Sequence, residues 1–287
     1  MATLLSAAQQ RNWQDDGYLV LPGFNTAESL TALRKRALEI VDNFDPAESQ
    51  TIFTTNDQTR TADAYFMGSA DTIRCFFEEE AFDATGNLKQ AKGLSINKIG
   101  HALHDLDPVF DAFSRTPALA QLAADLGLVE PQIWQSQYIF KQPGIGGEVR
   151  WHQDATFFET TPNTVTTFWF ALEDATVTNG CLWAEPGGHR GPRGILRERF
   201  VQTGQPANPV AMEKLDATPW PDVSTAVPLE VDAGSLVVLH GLLPHYSAAN
   251  PSTHSRHAYT LHVTDGRAAY SPRNWLQRSA AMAVRGF

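Results

Sequence analysis

The pattern of hydrophobic and polar residues changes from helical to strand-like near residue 130. Before it, apolar residues recur at helical spacing in SAAQQRNWQDDG and PALAQLAADLG. A longer amphipathic helix is predicted to run to about Asn43, and Asn25 with Glu28 forms a plausible capping box at its start. Residues 46–75 are polar and weakly periodic, so we predict a long loop or irregular segment there.

After residue 130 the apolar runs are short and rich in β-branched and aromatic residues. Examples are IWQSQYIFKQ, TVTTFWFALED and RHAYTLHVTDG, and turn sequences such as PGIGG and DAG separate them. This spacing indicates an antiparallel sandwich or barrel. We therefore predict one α+β domain over residues 1–287, with a helical part over about 1–130 packed on a β core over about 131–270. Residues 206–228 are predicted to be a long insertion between strands.

Composition narrows the classes of protein that fit this pattern. The chain has 287 residues, 43% of them hydrophobic, which is enough for a sizeable core. A net charge of −10 argues against binding to nucleic acid or anionic membranes, which requires basic surfaces. Two cysteines cannot make a disulfide framework, and neither a signal peptide nor a membrane span is recognisable. We predict a cytoplasmic, monomeric protein that binds a small molecule.

The stretch WHQDATFFE places two metal-ligating residue types, His152 and Asp154, two residues apart. In a strand, residues i and i+2 share a face, so the two side chains would project together. With a second imidazole they would form a set that leaves positions open on non-haem Fe(II) for a cosubstrate and O₂. An HxD pair alone is also compatible with a solvated strand face or a turn.

A second apolar strand supplies the missing residues. His240 and His245 follow GSLVVL, and Arg256 lies eleven residues after His245. A guanidinium there could hold a distant carboxylate through paired hydrogen bonds. Fe(II), Asp154, 2-oxoglutarate and Arg256 together would carry no net charge, as a closed pocket requires. His240 and His245 both stay candidates for the second imidazole ligand.

The motifs around these residues resemble the Fe(II)/2-oxoglutarate dioxygenases of the phytanoyl-CoA dioxygenase family, in particular its domain-containing protein subgroup. The similar blocks are SINKIGHALH, QSQYIFKQPGIGGEV, HQDATFF, EDATVTNGCLW, PGGH, HGLLPHYSAAN, SRHAYTLH and SPRNWLQ. They extend over nearly the whole chain, from WQDDGYLVLPGF to about Gln277. The resemblance implies a double-stranded β-helix, a cupin-like jelly-roll core flanked by helices.

The resemblance also implies roles for individual residues. His152, Asp154 and His245 would hold iron, and Arg256 would clamp 2-oxoglutarate. Further residues implied to bind the cosubstrate are Lys98, Gln137, Gln153, Trp169 and Ser255. Family members that halogenate lack the carboxylate ligand, so Asp154 points to hydroxylation of an unactivated C–H bond, or to another oxidation, with release of succinate and CO₂. The implied cofactors are Fe(II), 2-oxoglutarate and O₂, with ascorbate in a supporting role.

Two other functions are compatible with the metal-ligating residues. One is a metal-binding jelly-roll sensor without turnover, and the other is a cupin-type metalloenzyme that does not use 2-oxoglutarate. Arg256 favours the oxygenase, because neither alternative needs a carboxylate clamp at that place. The remaining histidines are predicted to be structural, pocket-wall, loop or surface residues: His101, His104, His189, His254, His257 and His262.

Overall fold

The computed structural model describes residues 3–55 and 63–287. In this part of the chain the helices are α1 (Ala7–Asp16), α2 (Ala27–Asn43), α3 (Ala64–Met67), α4 (Leu103–Leu106), α5 (Pro108–Ser114) and α6 (Pro117–Asp125). The strands are β1 (Tyr18–Leu21), β2 (Ile73–Phe77), β3 (Ile96–His101), β4 (Pro131–Ile139), β5 (Val149–His152), β6 (Thr160–Thr161), β7 (Thr166–Ala171), β8 (Leu182–Ala184), β9 (Glu198–Gln205), β10 (Asn208–Lys214), β11 (Val227–Leu229), β12 (Leu236–His240), β13 (His245–Ser247), β14 (Ala258–Asp265) and β15 (Ala269–Tyr270).

Two antiparallel sheets form the jelly roll. The larger has seven strands in the order β1-β12-β7-β14-β4-β3-β2, and the smaller has four in the order β11-β8-β13-β5. Side chains of both sheets line one cavity, so the functional site lies between them. The predicted fold class, a double-stranded β-helix flanked by helices, is confirmed.

The helices cover the larger sheet through a continuous apolar cluster. Leu33, Ala37 and Val41 recur along one side of α2 and are fully buried. They belong to the same hydrophobic cluster as Phe170 of β7 and Tyr259 of β14. The helix α2 thus covers one face of the seven-stranded sheet, and the cavity lies against the other face.

The first half of the chain is less separate from the β core than predicted. Strands β1, β2 and β3 all precede residue 130, yet they pair within the seven-stranded sheet. The segment 46–75, predicted as an irregular segment, contains α3 and the start of β2, while its residues 56–62 lie outside the described residues. β1 is the strand predicted from YLVLPGF, whereas β2 and β3 were missed because five- to six-residue strands carry a weak periodic signal.

Two local predictions are corrected. The N-cap of α2 is Thr26, whose Oγ1 accepts a hydrogen bond from the Ser29 N–H at 3.3 Å, so the predicted cap at Asn25 is wrong. The segment 206–228 is more than an insertion, because it contains β10. β10 pairs with β9 to form a hairpin separate from both large sheets.

Neither cysteine forms a disulfide, and both Cys75 and Cys181 are buried. Among residues 3–55 and 63–287, no helix has both the length and the apolar character needed to cross a membrane.

Candidate active site

The HxD motif lies where a strand ends and not within one. β5 ends at His152, and Asp154 begins a short 3₁₀ turn, Asp154–Thr156. The predicted i, i+2 strand geometry is therefore wrong for Asp154. The turn nevertheless brings the two side chains together, with His152 Nε2 3.6 Å from Asp154 Oδ1.

Strand register supplies the third member of the site. His245 begins β13 and lies directly opposite His152 in the antiparallel β13–β5 pair, so the imidazole centroids are 4.1 Å apart. His245 Nε2 is also 3.6 Å from Asp154 Oδ1. The potential ligand atoms of all three residues lie within 4.8 Å of one another, close enough to share one metal ion.

Backbone carbonyls orient both imidazoles. His152 Nδ1 donates to the Arg150 carbonyl at 2.8 Å, and His245 Nδ1 donates to the Leu243 carbonyl at 3.0 Å. A carbonyl only accepts, so each proton is on Nδ1 and each Nε2 lone pair faces Asp154. This is the tautomer that a metal-ligating histidine needs.

The electrostatics of the site favour a cation at its centre. Burial, with the neighbouring His152, lowers the pKa of His245 to about 4, so its imidazole is neutral at physiological pH. Burial alone would raise the pKa of Asp154, but the surrounding histidines hold it well below its usual value. A carboxylate flanked by two imidazoles is a donor set suited to a divalent transition metal.

The structure separates His240 from this cluster. Its Nδ1 accepts a hydrogen bond from the Leu242 N–H at 3.1 Å. Its ring packs against Trp13 and His189, at centroid distances of 5.7 and 4.9 Å. The alternative in which His240 replaces His245 is therefore not compatible with this geometry.

Two residues that the sequence analysis did not place in the site contact Asp154. Thr167 Oγ1 donates to Asp154 Oδ2 at 2.6 Å. His262 Nε2 is 3.6 Å from Oδ1, and the ring stacks on Phe158 at 4.7 Å. His262 was predicted to be a surface or core residue, but strand alternation could have placed it on the same face as Arg256, six residues earlier.

Arg256 is buried with part of its hydrogen-bonding capacity unused. Its Nε donates to the Gly180 carbonyl at 3.1 Å, and Nη2 donates to Ser247 Oγ at 3.2 Å. The guanidinium lies 5.2 Å from the Trp169 ring centroid, and Nη1 has no hydrogen-bond partner among the described residues. Burial lowers the pKa of Arg256 to about 10, so it stays charged at neutral pH. A buried charge of this kind requires an anion to compensate it.

Lys98 and Gln137 were predicted to bind the cosubstrate, and both line the cavity that contains Arg256. Lys98 Nζ donates to Gln137 Oε1 at 3.0 Å, and Gln137 Nε2 donates to Gln135 Oε1 at 2.5 Å. Burial lowers the pKa of Lys98 to about 7. We use the name polar wall for the residues Lys98, Gln135, Gln137, Arg256 and Thr260, which all lie on or next to the seven-stranded sheet.

Gln153 and Ser255 are not brought into the cavity. Gln153 is fully buried elsewhere, with its Nε2 donating to the Ile195 and Leu242 carbonyls at 3.0 and 2.8 Å. Ser255 Oγ donates to Glu173 Oε2 at 2.7 Å. Both side chains hold loops in place and have no contact with the cavity that the other predicted residues line.

The cavity has a volume of about 660 Å³. Beyond the polar wall it is lined by rings from segments outside the two large sheets. We use the name aromatic wall for the residues Phe66, Phe157, Phe200, Trp220 and Trp275. Phe66 stacks on Trp275 at 4.6 Å, and Phe200 lies 5.8 Å from Phe157. His101 is also in the cavity lining, whereas His104 is buried against Ser136.

Comparison with known proteins identifies the family. The family model described as Phytanoyl-CoA dioxygenase (PhyH) matches residues 13–258. The chain belongs to the phytanoyl-CoA dioxygenase family. It is 48% identical to phytanoyl-CoA dioxygenase 1 of Oryza sativa subsp. japonica over 280 residues, covering 96% of this chain and 94% of that protein. It is 44% identical to phytanoyl-CoA dioxygenase domain-containing protein 1 of Mus musculus, with 95% of each chain covered.

Solved structures agree with the fold. EctD from S. alaskensis with bound Fe superposes with a TM-score of 0.66 at 20% identity, over 100% of this chain and 88% of that one. The non-heme alpha ketoglutarate dependent carbocyclase SnoK superposes with a TM-score of 0.64 at 20% identity, over 94% and 88% of the two chains. At this level of identity the likeness is one of fold.

Proposed function

We propose that this protein is an Fe(II)- and 2-oxoglutarate-dependent dioxygenase that hydroxylates an unactivated C–H bond of a small organic molecule. The observation that carries the proposal is the presence, in one cavity, of a largely buried His-Asp-His cluster and a buried guanidinium whose Nη1 has no hydrogen-bond partner among the described residues. The first suits a ferrous ion and the second suits the far carboxylate of a dicarboxylic acid. Family membership supports the same reaction class.

His152, Asp154 and His245 would hold the metal, which supplies the activation of O₂ when bound. Their part would be to present two imidazole Nε2 atoms and one carboxylate oxygen at fixed positions. The carbonyls of Arg150 and Leu243 hold the imidazole tautomers, and Thr167 holds the second carboxylate oxygen. Such supporting hydrogen bonds favour a single ligand geometry.

The polar wall would bind the cosubstrate. Arg256 would contribute Nη1 and, with its other nitrogens fixed by Gly180 and Ser247, little side-chain entropy would be lost on binding. Lys98 would add a second positive charge and Gln137 would orient it. Trp169 would form one apolar side of this pocket beneath the guanidinium.

We also propose that the chain acts as one catalytic domain. Strands β1, β2 and β3 of the first 130 residues form both edges of the seven-stranded sheet, so this sheet is complete only when both parts of the chain are present. A metal-binding sensor or a cupin-type enzyme that does not use 2-oxoglutarate could share the metal ligands. Neither accounts for a buried Arg256 guanidinium whose Nη1 lacks a partner within residues 3–55 and 63–287.

The proposal is tested by anaerobic reconstitution with Fe(II), followed by addition of 2-oxoglutarate, ascorbate and O₂. We expect succinate and CO₂ to form in equal amounts, and we expect Asp154→Ala to abolish their formation. The matched control is Asp216→Ala, a carboxylate outside the cavity lining. Retention of Fe(II)-dependent turnover in Asp154→Ala would show that a different carboxylate holds the metal. Failure of the wild-type protein to convert 2-oxoglutarate would refute the proposed function.

A further inference from the structure

We propose that the substrate of this site is an apolar molecule bearing a cationic amine, and not an acyl thioester of coenzyme A. This inference rests on the proposed function, because it assigns Asp154 to the metal and Lys98 and Arg256 to the cosubstrate. It is carried by the aromatic wall and by the charged side chains that remain in the cavity lining.

The aromatic wall forms a continuous apolar surface. Phe200 lies at its centre, with ring centroids 5.8 Å from Phe157 and 6.5 Å from both Phe66 and Trp275. Trp220 extends the lining beside the hairpin of β9 and β10. Faces of aromatic rings carry partial negative charge, so they attract cations as well as apolar groups.

The charges left in the cavity lining are mainly acidic. With the metal and cosubstrate residues set aside, the charged lining residues among those described are Glu148, Arg150 and Glu198. Glu148 and Arg150 are exposed at the rim, whereas Glu198 is half-buried. A cationic group is therefore favoured next to the apolar lining, and an anionic group is disfavoured.

Strand geometry directs Glu198 to the same side as the aromatic wall. Glu198 and Phe200 are two residues apart on β9, so they share a face. Lys214 lies opposite Glu198 in the hairpin register, but no ion pair within 4.0 Å joins them in the described part of the chain. The Glu198 carboxylate is thus available to a ligand.

Two neighbouring basic residues, Arg197 beside the hairpin and Arg199 on it, are already engaged. Arg199 forms an ion pair with Glu159 and donates to Ser271 Oγ at 2.9 Å. The Arg197 guanidinium is buried under the Trp220 ring, 4.7 Å from its centroid, and donates to a backbone carbonyl. Only Arg150 among the described lining residues could then meet the phosphates of coenzyme A, which are recognised by clusters of basic side chains.

The test uses four probes with one alkyl chain and different head groups: dodecylamine, dodecanol, dodecanoate and dodecanoyl-CoA. Binding is measured by calorimetry, below the concentrations at which the probes form micelles. The protein is held as its complex with 2-oxoglutarate and redox-inert Ni(II), so catalysis is not required. We expect dodecylamine to bind most tightly and dodecanoyl-CoA least. Tighter binding of dodecanoate or dodecanoyl-CoA, or no binding of dodecylamine, would overturn the proposal.

Two variants test whether the Glu198 carboxylate causes the preference for dodecylamine. Glu198→Gln should reduce the advantage of dodecylamine over dodecanol about fivefold, as loss of one partly exposed charge pair would. Glu213→Gln, on the opposite face of the same hairpin, removes the same charge and should leave that advantage unchanged. An unchanged advantage in Glu198→Gln would refute the role of this carboxylate.

Each sample is first titrated with 2-oxoglutarate. This measurement separates a failure of the proposed function from a failure of the proposed substrate class. If 2-oxoglutarate does not bind, the proposed function fails. If it binds and the order of the probes is reversed, only the proposed substrate class fails. Unchanged 2-oxoglutarate affinity in both variants also shows that they are folded.

Discussion

The two walls of the cavity are built from different parts of the fold. The polar wall lies on or beside β3, β4 and β14, which pair side by side in the seven-stranded sheet. The aromatic wall comes from α3, the turn after β5, the β9–β10 hairpin and irregular segments after β10 and β15. Strand pairing within one sheet fixes the first wall, whereas the pieces of the second are joined by side-chain packing and by isolated backbone contacts such as the Val201–Asn274 bridge.

This difference assigns different tasks to the walls. A carboxylate clamp and a metal site require side chains held to a fraction of an ångström, which sheet strands provide through their ladder of hydrogen bonds. Substrate-contacting surfaces on hairpins and loops can change without disturbing that ladder. Variants of the two walls should therefore separate cosubstrate affinity from stability and substrate binding.

The largest effect is expected from the polar wall at Arg256. Arg256→Met keeps an unbranched, mostly apolar stem but removes the charged guanidinium, so the Kd for 2-oxoglutarate should rise roughly a thousandfold. The measurement is calorimetric titration of the Ni(II)-loaded protein without O₂. Arg190→Met, an exposed arginine paired with Asp15, is the matched control and should leave the Kd unchanged. Affinity close to wild type in Arg256→Met would place the carboxylate site elsewhere.

The corresponding change in the aromatic wall is Phe200→Ala. Phe200 is 2% exposed, so its truncation should lower the free energy of unfolding by about 3 kcal/mol. The Kd for 2-oxoglutarate should stay within about twofold of wild type, because no strand of the polar wall is altered. Urea denaturation and titration measure the two quantities, and Val223→Ala on the surface is the control. A large loss of 2-oxoglutarate affinity would mean that the walls are coupled.

A smaller effect is expected at Thr167, which supports the metal site from the seven-stranded sheet. Thr167→Val removes the hydrogen bond to Asp154 Oδ2 and should weaken Ni(II) binding about tenfold. Thr167→Ser should restore the affinity, because it keeps the hydroxyl. Thr166→Val changes the adjacent buried threonine, which makes no contact with Asp154, and should have little effect. Equal losses in Thr166→Val and Thr167→Val would point to general destabilisation of β7.

The pH dependence of cosubstrate binding tests Lys98. Burial depresses its pKa to about 7, so it is protonated below pH 7 and loses its charge above it. A bound carboxylate favours the protonated form. The affinity for 2-oxoglutarate should therefore be full below pH 7 and fall about tenfold by pH 8, with proton uptake on binding. Calorimetry in buffers of different ionisation enthalpy measures this uptake, and Lys98→Arg should remove it. A flat pH profile in the wild type would contradict this role.

The sequence carried enough information to predict the fold class and most of the site. Short β-branched and aromatic runs with regular turns indicated the jelly roll, because period-2 alternation is a local property. His152, Asp154, His245 and Arg256 were found from residue type and spacing together with the resemblance to a known family, and the structure brings them into one cavity. Pairing of strands distant in sequence was not predictable in this way, so β1, β2 and β3 were assigned to a helical part.

Other features depended on the tertiary structure alone. Strand β5 ends at His152, and the 3₁₀ turn that follows brings Asp154 next to it. The β13–β5 register then places His245 beside both residues. His262 is next to that carboxylate only because β14 pairs beside β7.

The sequence by itself determined the kinds of ligand that the site offers and the β-rich architecture that holds them. The tertiary structure decided which side chains face the cavity, since Gln153 and Ser255 are turned to partners elsewhere. It also decided that the hairpin containing Glu198 and Phe200 covers the apolar side. The physical reason is that residue type sets what a group can bind, whereas the direction and neighbours of a side chain depend on non-local strand pairing.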